Sequence, residues 1–104
     1  MSKEICFLLK VNNNDFSVSD MNKLKKFLYV NMSLIHMHQV DDFTLDITSK
    51  NLSIKSLINY SKEKTLNLSL IICDNNMLKN ISISNGKVNT EKEVPINLIK
   101  DTLC

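Results

Sequence analysis

The sequence predicts an α+β domain of two layers, with helices on one face of a largely antiparallel sheet. Three observations carry that expectation. Apolar runs of strand length occur at 5–11, 66–73 and 78–84. Two other stretches, near 20–31 and after Asn51, space their apolar residues by three and four, as one face of a helix does. Asn85-Gly86 is a strong two-residue hairpin signal.

The run Ile5-Cys-Phe-Leu-Leu-Lys-Val11 reads as a buried first strand, ended by the turn-forming cluster Asn12-Asn-Asn-Asp15. Ser17 and Ser19 offer caps for a helix over about 20–31, with Met21, Leu24, Phe27 and Leu28 on one face and Lys23, Lys25 and Lys26 elsewhere. A hairpin follows, roughly 33–40 and 43–49. Ser49 or Asn51 then caps a second helix with Leu52, Leu57 and Ile58 inward. After it, 66–73 reads as a strand, Asp74-Asn-Asn76 as a turn, 78–84 as a strand and 87–90 as its hairpin partner. Pro95 suits the first turn of a last helix in which Ile96, Ile99 and Leu103 share a face.

This order begins as strand, helix, strand, strand, helix, strand, which resembles the ferredoxin-like split βαβ arrangement with an added C-terminal hairpin and helix. A second parse treats 5–11 as an extra N-terminal strand; the remainder, helix, two strands, helix, three-strand meander, helix, is similar to roadblock or profilin-like domains. Either way the resemblance is one of element order, which says little about function.

At 104 residues, 43% hydrophobic and 23% charged, the chain is expected to form one domain over residues 1–104 around one modest core. Its longest uninterrupted apolar run, Leu70-Ile-Ile-Cys73, is far below the roughly 18 residues of a membrane span, and no signal-peptide layout opens it. A cytoplasmic location is therefore expected, with no membrane partner. Cys6, Cys73 and Cys104 are too few and too widely spaced for a disulfide framework or a zinc knuckle, and reduced thiols are expected. The chain has fourteen Asn and thirteen Lys but no Arg, Ala or Trp, a bias that fits an AT-rich coding sequence. Without Arg it lacks the bidentate fork for phosphate or carboxylate, and with Gly86 alone it builds neither a P-loop nor a GxGxxG turn.

The densest cluster of chemically capable side chains is Ser33-Leu-Ile-His-Met-His-Gln-Val-Asp-Asp-Phe-Thr-Leu-Asp46. Hairpin register decides what it does, because a one-residue slip turns every side chain to the other face. A two-residue Asp41-Asp42 loop would send His36 and His38 into the core beside Phe43, Leu45 and Ile47. A three-residue loop opposes Gln39 to Phe43, Met37 to Leu45 and Ile35 to Ile47, and leaves His36 opposite Asp46 on an outer face. The second register is expected, since buried imidazoles need partners that nothing nearby supplies. Leu34 and Val40 then fall outward without explanation. Two imidazoles at i and i+2, about 6 to 7 Å apart, with Asp46 as third ligand, make a metal site and a metal-dependent enzyme one alternative. No cofactor is expected in the main reading. Cys6, Cys73 and Ser33 lack the strand-turn-helix elbow of a catalytic nucleophile, and an enzyme is not expected.

Nucleic-acid binding is the other alternative. Lys23, Lys25, Lys26, Lys62 and Lys64 could make a basic helical surface, but the net charge is only +2 and no stacking-aromatic signature is present. The main expectation is a small non-catalytic regulator or inhibitor that acts by protein-protein contact, of the kind found among phage, viral, mobile-element and immunity proteins. His36, His38, Asp41, Asp42 and Asp46 are its expected partner surface, and a homodimer through an exposed edge strand is a further expectation.

Overall fold

The computed structural model describes residues 4–74 and 77–95, with only the backbone described for Asp74, Met77 and 89–95. Two helices pack on one six-stranded antiparallel sheet. The elements run β1 (Ile5–Val11), α1 (Val18–Asn31), β2 (Leu34–Asp41), β3 (Thr44–Ser49), α2 (Ile54–Lys64), β4 (Asn67–Asp74), β5 (Met77–Ser84) and β6 (Lys87–Pro95). The sheet order is β2-β3-β1-β4-β5-β6.

β1 lies at the centre of the sheet because it alternates on both faces, with Phe7, Leu9 and Val11 fully buried under the helices and Cys6 and Leu8 half-buried on the other side. It pairs antiparallel with β3 and with β4. The strand that the second parse set apart as an N-terminal extra thus lies inside the sheet, between β3 and β4, and β4, β5 and β6 form the meander that parse required.

The core is the layer between sheet and helices, where Met21, Leu24 and Leu28 of α1 and Leu57 and Tyr60 of α2 meet Phe7, Leu9, Leu45, Ile47, Leu68, Leu70 and Ile72. Helix α1 starts two residues before the expected position. Its cap is Ser17, whose Oγ accepts from the Asp20 N–H at 3.1 Å while the Asp20 carboxylate accepts from the Ser17 N–H at 3.0 Å. Helix α2 starts later than expected, at a cap made by Ser53, which accepts from the Ser56 N–H. The two caps foreseen for it are used elsewhere: Asn51 Oδ1 accepts from the Ser33 N–H at 2.7 Å, and Ser49 Oγ donates to the Asn51 carbonyl. A further difference is at Pro95, which closes edge strand β6 opposite Met77 instead of opening a helix. Of the expected last helix, Ile96, Ile99 and Leu103 lie outside the described residues.

The β2–β3 hairpin corrects the expected register. The turn is Asp42-Phe43, and a bulge between Gln39 and Asp41 inserts Val40 as an extra residue. Met37 therefore opposes Ile47 and Gln39 opposes Leu45, two residues away from the expected pairing. A shift of two preserves the faces, so the histidines still point away from the helices. The bulges also account for the two residues left unexplained: the irregularity at Ile35 returns Leu34 to the core side opposite buried Ser49, and Val40 stands out at 53% exposure. Among the described residues no helix is long and apolar enough to cross a membrane.

Candidate functional site

Helices α1 and α2 lie on the same sheet face, and the seam between them forms a groove of about 460 Å³. Its floor is aromatic. Phe27 and Tyr60 meet with ring centroids 4.2 Å apart at 31°, a tilted contact that packs the two rings together. Phe27 stands at the edge of the α1 apolar stripe, three residues after Leu24, and Tyr60 three after Leu57 on α2, so each helix turns one aromatic toward the seam. Val30 continues the apolar wall, 76% exposed.

The rim is basic. Lys23 and Lys26 from α1 and Lys64 from the last turn of α2 border the groove, against one acid, Glu63, whose carboxylate lies 3.8 Å from the Lys64 Nζ. Lys23, Tyr60 and Lys64 also border a smaller depression of about 300 Å³ that runs toward Asp15, Phe16 and Asp20. The Tyr60 hydroxyl is pushed above its ordinary range, first by burial and then by the negative charges of Asp20 and Glu63. Tyr60 stands at the junction of the two depressions.

The five lysines foreseen as one basic surface divide. Lys23, Lys26 and Lys64 share the groove. Lys62 turns its stem against Gly86, on the side of the β5–β6 turn, and Lys25 is half-buried beside α1 without bordering the groove.

On the hairpin, His38 opposes Asp46 and His36 opposes Thr48, which corrects the expected pairing of His36 with Asp46. Both histidines are exposed, and Asp46 and Thr48 are half-buried on the same face. Asp41 belongs to the turn: its Oδ1 accepts from the Phe43 N–H at 2.8 Å, and that bond, followed by the Thr44 hydroxyl, holds its carboxyl below the usual range. Asp42 is an exposed turn residue. Among the described residues no group of three or more His, Cys, Asp and Glu is placed to hold a metal ion, so His36, His38 and Asp46 do not assemble the three-ligand site of the metal alternative.

Sequence reasoning placed Phe27 inward and passed over Tyr60. The signal available was two aromatics at the margins of two helical stripes, which only helix-to-helix placement turns into a site. No family model, curated protein or solved structure matches this chain.

Proposed function

We propose that this domain is a non-catalytic protein-binding regulator that takes an acidic, apolar-anchored segment of its partner into the α1/α2 groove. The observation that carries the reading is the pairing of an aromatic floor, Phe27 and Tyr60, with three lysines and one carboxylate on the rim. An apolar anchor gains by leaving water against Phe27, Tyr60 and Val30, while flanking acids gain from Lys23, Lys26 and Lys64. Lysines are suited to this use, because their flexible stems follow a peptide without demanding one geometry. The hairpin face with His36, His38 and Asp46 is the second contact surface of the same proposal, at the exposed edge strand β2. Exposed Ile35 beside the histidines favours protein over solvent there, and edge pairing of β2 would make a homodimer.

For the fold itself, we infer a ferredoxin-like unit over β1 to β4, extended by β5 and β6. Supporting it are the order β2-β3-β1-β4, antiparallel throughout, and helices following β1 and β3.

A random peptide display selection against the folded protein tests the function. Enriched peptides should combine Asp or Glu with Leu, Phe or Trp, and Lys26→Glu with Lys64→Glu should weaken them about tenfold or more. Binders indifferent to that double variant but lost on His38→Ala and Asp46→Ala would move the docking site to the hairpin. Retention of single-stranded RNA or DNA that falls steeply with salt and is lost in the same lysine variant would replace the protein partner by nucleic acid.

A further inference from the structure

Cys6 and Cys73 are direct cross-strand partners in the pairing of β1 with β4, at the centre of the sheet. Parity places both on the face turned away from the helices, since their chain neighbours Phe7 and Ile72 belong to the helix-side core. Both are free thiols and both are half-buried, so a small solute reaches them. The row they share continues to Thr48 on β3 and Leu78 on β5. Leu8 and Ile71, also half-buried, stand beside them in the next row.

The ladder sets the separation of the two residues. At its far end the Asn12 N–H donates to the Asn67 carbonyl at 2.8 Å, and bonded pairs recur at every second residue of an antiparallel ladder. Counting on through Lys10 with Ser69 and Leu8 with Ile71 makes Cys6 with Cys73 a bonded pair, with Cα atoms about 5.5 Å apart. That lies inside the range of about 4.4 to 6.8 Å that a disulfide spans. The Cβ atoms of such a pair are about 5 Å apart, against about 3.5 to 4.5 Å in a relaxed disulfide. Closing the bond therefore draws β1 and β4 together at this point and leaves it among the more readily reduced disulfides. The Cys6 Sγ lies 3.8 Å from the Thr48 Oγ1 of β3, and rotation about the Cys6 Cα–Cβ bond carries it over to β4.

We propose that Cys6 and Cys73 form a thiol–disulfide site, closed by a low-molecular-weight disulfide of the glutathione class and reopened by the corresponding thiol. One protein thiolate attacks a sulfur of the small disulfide, whose S–S bond breaks, and one small thiol leaves. The second protein thiolate attacks the protein sulfur of the mixed disulfide and expels the second small thiol. The two cysteines give up two protons and two electrons, and the two released thiols carry both. Closed, the bond ties β1 to β4, the pairing through which β2 and β3 join β4, β5 and β6.

The test is incubation of the full chain with oxidised glutathione, in buffer and in concentrated urea, followed by alkylation with iodoacetamide, trypsin digestion and mass spectrometry. Trypsin puts the three cysteines on separate peptides, 4–10, 65–79 and 101–104. In buffer, peptide 4–10 should be joined to 65–79 at least about tenfold in excess of any link to 101–104, with circular dichroism unchanged, because the sheet holds the pair in place. In urea the Cys73–Cys104 link should lead, because an unfolded chain closes its shorter loop more readily. Excess reduced glutathione should return both thiols, and the Cys104→Ser variant should form the same link in buffer. Glutathione retained on Cys6 and Cys73 without a link, the same ratio of links in buffer and urea, or a link that appears only with loss of circular dichroism would overturn the proposal.

Discussion

The hydroxyl of Ser61, fully buried on α2, joins the helix to the far hairpin: it accepts from the Gly86 N–H at 3.3 Å and donates to the Leu66 carbonyl at 2.7 Å. One side chain thus satisfies the start of β4 and seats the β5–β6 turn against α2. Its removal leaves two polar groups without their partner, and Ser61→Ala should cost about 1 to 3 kcal/mol in urea unfolding. Gly86 has φ +78°, and a Cβ there would lie 2.8 Å from the Cβ of Lys62. Gly86→Ala should therefore destabilise by at least the roughly 1 to 2 kcal/mol of a left-handed residue. If both substitutions leave the urea midpoint unchanged, the docking of turn on helix is wrong.

The Ser17–Asp20 capping box makes a pH prediction. The Asp20 carboxyl is held below its ordinary value, first by the Ser17 N–H and then by the Ser17 hydroxyl. A depressed folded pKa means stability that is present above the unfolded value, near 3.9, and lost as pH falls through the folded value. Asp20→Asn should flatten the acid limb of the thermal-stability profile below about pH 4, whereas Ser17→Ala should lower stability by about 1 kcal/mol at neutral pH as well. An acid limb identical in wild type and Asp20→Asn would contradict the box.

Tyr60 provides the opposite limb. Its hydroxyl is raised, chiefly by burial, so its contribution is full below the unfolded value near 10 and lost as pH rises through the folded one. The fall in stability above about pH 10 should be shallower in Tyr60→Phe than in wild type, with the aromatic contact to Phe27 retained. Phe27→Ala, which removes that contact, should destabilise at all pH values and weaken groove binding.

Register on the hairpin is checked with paired cysteines. His38 and Asp46 stand directly opposite, so His38→Cys with Asp46→Cys should oxidise readily to a cross-strand disulfide. His36→Cys with Asp46→Cys, a diagonal pair, should form it slowly or with strain. The reverse order of rates would restore a three-residue loop and remove the bulge at Val40.

Much of this domain is written in local pattern. Period-two and three-to-four spacings define the strands and helices, and Asn85-Gly86 adopts the two positive φ values that its residue types favour. The inward sets of β1, α1 and β4 are equally local, because burial follows parity or helical stripe once the element exists. Tertiary structure alone decided the rest. Whether Ser49, Asn51 or Ser53 caps α2 depended on which of them other strands claimed. Two bulges on β2 settled the partner of each histidine, and a bulge answers to the neighbouring strand rather than to its own residues. The groove arose where Phe27, Tyr60 and three lysines, unremarkable on separate helices, were brought to one seam by the sheet beneath them. The place of buried Leu78, opposite Cys73 on the face away from the helices, came from the pairing of β5 with β4. Spacing along a chain determines which face a residue takes; which faces meet is set by packing between elements, which no local pattern contains.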